Sequence, residues 1–152
     1  MSSHWFICLV VMMVGCAGNR HSQIGVSGGR LAACPDSPNC VSSQSADPRH
    51  AIDPLRYEET VQKARERLVK AISGMKRARI VTAEERYIHA EFTSVFFRFV
   101  DDVEFLLDDG AKTIHVRSAS RIGQSDLGVN RKRVEAIRSR FNAVQKTGDR
   151  PS

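Results

Sequence analysis

The chain has 152 residues and a formal net charge of +6, from 23 lysines and arginines against 17 aspartates and glutamates. This length is enough for one domain with its own hydrophobic core, and the sequence contains no internal repeat that would indicate a repeat architecture. In a cytosolic protein such an excess of positive charge would suggest nucleic-acid binding, so the compartment decides how the charge is interpreted.

The N-terminal segment predicts export. Residues Trp5–Gly15 form an unbroken apolar run, which is shorter than the roughly 20 residues that a membrane-spanning helix needs. The run ends in Met13–Cys16, which resembles the lipobox of bacterial lipoproteins. The resemblance implies a signal peptide at 1–15, cleavage before Cys16, and acyl chains such as palmitate on Cys16. An ordinary cleaved signal peptide is the alternative, since Met13 replaces the usual Leu and the start Met1–His4 carries no Lys or Arg.

An acylated Cys16 would place the protein in the cell envelope, held to a membrane by two or three chains. Ala17, rather than Asp, follows the cysteine, which in enterobacterial-type sorting implies the outer membrane, facing the periplasm. We then expect no nucleic-acid partner. The positive charge favours anionic lipid or envelope polymers, an envelope protein is a further candidate partner, and a solvated surface without a partner is the plain alternative.

Beyond the anchor, the sequence predicts a lipidated N-terminus and flexible tether at 16–33, a single globular domain at 34–146, and a frayed tail at 147–152. Once Cys8 leaves with the signal and Cys16 is acylated, Cys34 and Cys40 are the remaining pair, which predicts a disulfide. A metal or redox pair is disfavoured, because no second Cys or His pair follows at ligand spacing and the motif is not C-x-x-C. We expect no metal and no cofactor.

The proline-rich stretch from Cys34 to about Leu55 is predicted to be irregular. A helix is predicted from about Glu58 to Ser73, and Gly74 is expected to end it in the left-handed conformation. Its apolar positions recur at helical spacing: Val61, Ala64, Leu68 and Ile72.

Four strands follow in the predicted order: Arg79–Ala83, Tyr87–Thr93, a strand from Phe97 with apolar odd positions, and Thr113–Ser118. Asp108–Gly110 is a hairpin turn signal between the last two. Same-face pairing then predicts the cross-strand pairs Leu107 with Ile114, Phe105 with Val116, and Glu104 with Arg117, the last as an ion pair.

After a polar loop at 119–129, Asn130 is predicted to be the N-cap of the final helix. This helix carries one apolar stripe, formed by Val134, Ile137, Phe141 and Val144. The predicted fold class is therefore α+β, with an antiparallel sheet of about four strands and two main helices packed on one face.

Three stretches together resemble the domain-of-unknown-function family 1499: CPDSPNCVSS at 34–43, FRFVDDVEF at 97–105, and RSASRIGQSDLGVNRKRVEAIR at 117–138. The resemblance covers nearly all of the chain from Cys34 to about Phe141. It implies a bacterial envelope protein or lipoprotein, and it implies no reaction, cofactor or substrate.

Polar residues are dense on the last hairpin and the loop after it, and they form the candidate site or network. Asp101 is the most informative of them, because strand alternation turns it to the apolar face, where an unpaired carboxylate is costly. Arg121, Ser118 or loop N–H groups are its expected partners, and a bulge at 101–102 is the alternative. The full set is Asp101, Asp102, Glu104, Arg117, Ser118, Ser120, Arg121, Ser125, Asp126, Asn130 and Arg131.

Three functions fit this set. The favoured one is a lipid-anchored binding or scaffolding module whose polar cluster is a structural network. The second is an anion- or envelope-polymer-binding domain, in which Arg117, Arg121 and Arg131 converge on a cleft. The third is a hydrolase that uses the acids and Ser125, although the sequence around Ser125 is not a nucleophile elbow, and His89 and His115 are expected to face solvent. We assign no catalytic residue.

Overall fold

The computed structural model describes residues 23–95 and 98–148, with only the backbone described for 145–148. Predictions on the signal peptide, on Cys16, on Phe97 and on the last four residues lie outside the described residues.

The described residues form eight strands and two helices. In chain order they are β1 (Val26–Ser27), β2 (Arg30–Leu31), β3 (Cys40–Ser42), β4 (Leu55–Arg56), α1 (Val61–Ser73), β5 (Ala78–Ala83), β6 (Tyr87–Thr93), β7 (Val100–Asp108), β8 (Thr113–Ser120) and α2 (Val129–Gly148).

Helix α1 is set by its cap and its apolar stripe. Thr60 is the N-cap, and its hydroxyl accepts a hydrogen bond from the Lys63 N–H at 3.4 Å. At the other end Gly74 has φ −78°, so the predicted left-handed cap is wrong. The left-handed conformation falls instead on Arg77, with φ 61°, in the turn before β5.

The main sheet has six strands rather than about four. The predicted strands β5 to β8 all form, in the order β3-β8-β7-β6-β5, and β4 pairs with β8 beyond the end of β3. Strands β3 and β4 have three and two residues in the stretch predicted to be irregular. Segments this short carry no readable alternation, so only pairing with β8 reveals them.

The predicted register of the last hairpin is confirmed. β7 and β8 pair antiparallel, with Leu107 opposite Ile114, Phe105 opposite Val116, and Glu104 opposite Arg117. The turn at Asp108–Gly110 and the apolar odd positions fix this register together, because a slip of one residue would turn Phe105 out of the core.

Both helices pack on one face of the sheet. A single apolar core lies between the helices and the sheet. Val134, Ile137 and Phe141 of α2 are fully buried in it, as are Val103 and Phe105 of β7. We call this face the helix face and the opposite one the outer face.

Residues 24–31 lie over the outer face. β1 and β2 pair as a small antiparallel hairpin, and the Gly25 N–H donates to Glu104 Oε1 at 2.5 Å. The flexible tether predicted as far as Ala33 is therefore wrong for these residues. Because the hairpin covers it, the part of the outer face around Glu104 is buried as well, and Glu104 is 0% exposed.

Candidate functional site

The predicted disulfide between Cys34 and Cys40 is present. The loop that it closes is held against the chain after β8 by Asn39, which is buried. The Asn39 amide donates to the Gly123 carbonyl at 2.6 Å, and its own carbonyl accepts from the Ser120 N–H at 3.0 Å. The disulfide thus fixes a loop that packs on the polar residues following β8.

One polar network lies on the helix face, where β7 begins and β8 ends. Asn130, 0% exposed, is its centre: its amide oxygen accepts from Ser118 Oγ at 2.5 Å, and its nitrogen donates to Ser120 Oγ at 3.0 Å and to the Asn39 carbonyl at 2.9 Å. Arg133 donates to the same Asn130 oxygen at 2.5 Å. We call this group the helix-face network.

Asp101 belongs to this network, and its partner is Arg133, so the predicted partners Arg121 and Ser118 are wrong. The register of β7 is continuous through Asp101 and Asp102, which excludes the alternative of a bulge. Sequence reasoning missed Arg133, although it stands three residues after Asn130 on the α2 stripe that continues to Ile137. Helical spacing is the signal that could have identified it.

The prediction that Asn130 caps α2 is wrong, because the helix begins one residue earlier at Val129. Asp126 does the capping: its carboxylate accepts from the Gly128 N–H at 3.0 Å and from the Asn130 N–H at 2.7 Å. The positive end of the helix dipole also stabilises a carboxylate at this position.

A second network lies on the outer face, and Glu104 is its first member. The predicted ion pair is confirmed, with Arg117 Nη1 donating to Glu104 Oε2 at 3.0 Å. The Tyr87 hydroxyl donates to Glu104 Oε1 at 2.8 Å, beside the Gly25 N–H. Burial, followed by the hydrogen bond to Glu104, raises the pKa of Tyr87. The buried Glu104 carboxylate therefore accepts hydrogen bonds from three donors.

Asp102 is the second member of this outer-face network. It accepts from Arg121 through two donors at 2.8 and 2.7 Å and from His89 Nε2 at 2.7 Å. His89 is buried, so its predicted exposure to solvent is wrong. Arg121 also bonds Glu91 at 2.5 Å, and the hydrogen bond to Asp102 is the largest cause of its raised pKa.

The other predicted site residues anchor backbone. Arg131 donates to the carbonyls of Ala51 and Arg49 at 2.8 and 3.3 Å, and Ser125 Oγ accepts from the Leu127 N–H at 3.3 Å. Because Arg117 and Arg121 lie on the outer face and Arg131 on the helix side, the three arginines do not converge on one cleft. The polar cluster is two separate buried networks, which hold β7, β8 and α2 together.

A different feature stands out at the end of the domain where these elements meet. β6 ends at Thr93 and β8 at Ser120, while β7 and α2 begin at Val100 and Val129, so their connections lie side by side. We call the described residues 94–95, 98–99 and 122–129 the loop end. Its large apolar side chains are exposed by the fractions Val95 59%, Phe99 45%, Ile122 62%, Leu127 88% and Val129 45%.

Leu127 is the most unusual of these residues. It is 88% exposed and its backbone has φ 53°, a conformation that is costly for a residue with a Cβ. Gly128 follows with φ 78°, and the two hydrogen bonds of Asp126 fix the turn to α2. The fold thus holds a leucine in solvent on a hydrogen-bonded turn at some energetic cost.

Four cations lie near these apolar residues, either in space or in sequence. None of the four makes an ion pair within the described part of the chain. Several other arginines are paired, as Arg117, Arg121 and Arg133 are. The four unpaired cations are Lys76, Arg77, Arg98 and Lys132.

Two kinds of feature are absent from the described residues. In 23–95 and 98–148, we find no helix with the length and apolarity to cross a bilayer. The same ranges contain no cluster of three or more His, Cys, Asp or Glu side chains arranged to hold a metal ion.

Fold and networks together define a small α+β domain with a disulfide-closed loop and charges buried on both faces of its sheet. The chain belongs to the family described as protein of unknown function (DUF1499), whose model matches residues 30–141. A comparison with the curated proteins finds no match.

Proposed function

We propose that the protein is a lipid-anchored binding module of the cell envelope that docks its loop end on an anionic membrane surface. The observation that carries this proposal is Leu127, a leucine kept in solvent on a strained, hydrogen-bonded turn. Strained backbone of this kind clusters at functional sites, where the rest of the fold sustains its cost.

The chemistry of the loop end matches a membrane surface. Exposed apolar side chains grouped at one end of a domain indicate an interaction site. Leu127 and Ile122 would enter the boundary between headgroups and acyl chains, while Lys132 and Arg98 would meet anionic headgroups at about 1 kcal/mol each. An anionic bilayer supplies both the apolar layer and the negative charge.

The hairpin at 24–31 supports docking by shortening the connection to the anchor. Gly25 is bonded to the domain and follows the proposed acylated Cys16 by nine residues, which span at most about 30 Å when extended. A short connection raises the effective concentration of the loop end at the membrane, so that weak docking contacts suffice.

Vesicle binding tests this proposal. The chain carrying Cys16→Ser, which cannot be acylated there, is compared with the same chain that also carries Leu127→Asn, on vesicles of phosphatidylglycerol and of phosphatidylcholine. Because burial of a leucine contributes about 1.5–3 kcal/mol, we expect Leu127→Asn to weaken binding to phosphatidylglycerol vesicles about tenfold or more. Binding to phosphatidylcholine should be weaker for both.

Val81→Asn is the matched control, since Val81 is also exposed, at 43%, but lies on strand β5 away from the loop end. It should leave vesicle binding unchanged. Equal binding by the Leu127→Asn and Val81→Asn chains would refute docking. In cells, Cys16→Ser should abolish labelling by palmitate, and labelling that survives would refute the anchor.

A further inference from the structure

A groove runs beside the loop end, between the turn after α1, the end of β6 and the first three turns of α2. It has a volume of about 670 Å³, within the range of small-molecule sites. Its apolar wall includes Met75, Phe92, Val95 and Val129. A cavity of this size and lining is suited to an apolar chain.

The charges around the groove all have one sign. Five of its lining residues are cationic and none is acidic: Lys76, Arg77, Lys132, Arg133 and Arg140. Arg133 is committed to Asp101 and lies over the Phe92 ring, 5.1 Å from its centroid. The other four make no ion pair with any described residue, so their charge is available to a ligand.

The groove extends along α2, with one cation far from the loop end. Arg140 lies next to Gly74, where an added Cβ would be 3.5 Å from Arg140 Nη1, and Lys76 is two residues further along the chain. Val129 is eleven residues before Arg140 on α2, about 16 Å along the helix. One end of the groove therefore carries Arg140, and the other end carries the exposed apolar side chains of Val95 and Val129 beside Lys132 and opens at the loop end.

We propose that this groove is a binding site for one anionic amphiphile, with its acidic group at Lys76 and Arg140 and its chain directed toward Val95 and Val129. This inference deepens the proposed function, because a groove that opens at the loop end could take its ligand from the docked membrane. It adds that the protein recognises a single amphiphilic molecule and not only a charged surface.

Calorimetric titration with monomeric dodecyl phosphate, below its micelle concentration and without any bilayer, tests the site. We use the full chain with Cys16→Ser, so that any binding to the apolar segment at 5–15 is the same in all variants. The charge-removing variant is Lys76→Gln with Arg140→Gln, and we expect it to weaken binding at least tenfold. Both side chains are exposed and unpaired in the described structure, so the fold should persist.

The matched control is Lys63→Gln with Lys70→Gln, which removes two exposed cations of α1 that do not line the groove. Its affinity for dodecyl phosphate should equal that of the parent chain. Val95→Asp should weaken binding, whereas Val81→Asp on β5 should not. Inorganic phosphate and the uncharged dodecyl maltoside should each bind at least tenfold more weakly than dodecyl phosphate, since each supplies only half of the recognised chemistry.

Equal affinity in the groove variant and its control, or equally strong binding of inorganic phosphate, would overturn the inference. The two proposals fail separately. If Leu127→Asn loses vesicle binding but the Lys76 and Arg140 variant still binds dodecyl phosphate as tightly as the parent chain, membrane docking stands and the groove site is refuted. If dodecyl phosphate binding depends on Lys76 and Arg140 but vesicle binding does not depend on Leu127, the groove site stands and membrane docking is refuted.

Discussion

The outer-face network and the loop end use charged and apolar residues in opposite ways. In the network, the charges of Asp102, Glu104 and Arg117 are almost completely buried, and each has an oppositely charged partner. At the loop end, large apolar side chains face solvent, and the four cations Lys76, Arg77, Arg98 and Lys132 have no acidic partner in the described structure.

This difference separates residues that hold the fold from residues available to a ligand. Buried charges must be paired, because an unpaired charge without solvent would cost several kcal/mol. Exposed leucine and unpaired cations contribute little to the fold, and the φ of Leu127 opposes it. Where a sequence departs from the rules of stability without compensation inside the fold, function is the expected reason.

The largest expected effect is on stability. Arg117→Met leaves Glu104 buried without its cation, so we expect the free energy of unfolding to fall by about 3–5 kcal/mol. Denaturant unfolding measures this loss. The double variant Glu104→Leu with Arg117→Met should be more stable than Arg117→Met alone, since no charge is left without a partner. If Arg117→Met were as stable as the parent chain, the pair would not have the structural role assigned to it.

A smaller effect of opposite sign is expected at the loop end. Leu127→Asn places a residue that tolerates the left-handed conformation at φ 53°, so the free energy of unfolding should stay the same or rise by up to about 1 kcal/mol. Thermal unfolding of the Cys16→Ser chain measures it. A marked loss of stability would show that Leu127 supports the fold, and it would remove the contrast between the two regions.

The smallest effect concerns the rim of the outer-face network, where Arg79, 69% exposed, pairs with Glu91 at 2.5 Å. Burial raises the pKa of Glu91, but the hydrogen bonds from Arg121 and Arg79 outweigh it and hold the pKa below 4.5. A carboxylate with a lowered folded pKa stabilises the fold above its unfolded pKa, and this contribution is lost as the pH falls through the folded value.

Arg79→Gln should therefore lower the free energy of unfolding by about 0.2–1 kcal/mol at neutral pH, and the difference from the parent should shrink at successively lower pH below 4.5. Arg56→Gln is the control, since Arg56 is exposed and has no ion pair with any described residue. It should show no such trend. A deficit in Arg79→Gln that is constant with pH would contradict the assignment.

The sequence by itself determined the α+β class, the disulfide and the last hairpin. Alternation with a period of two and the turn at Asp108–Gly110 are local signals, and together they allow only one register for β7 and β8. The Glu104–Arg117 pair follows from that register. The disulfide followed from counting cysteines, which needs no coordinates.

The tertiary structure alone decided which contacts join distant segments. Asp101 and Arg133 are 32 residues apart, and their contact depends on the helical phase of α2 over the sheet. The burial of the outer face depends on residues 24–31, whose two-residue strands form only by pairing with each other and whose glycine-rich sequence predicts no strand. The exposure of Leu127 likewise depends on the turn that Asp126 fixes to α2. Local pattern sets the face and spacing of a side chain, while packing between distant elements sets its partner and its exposure.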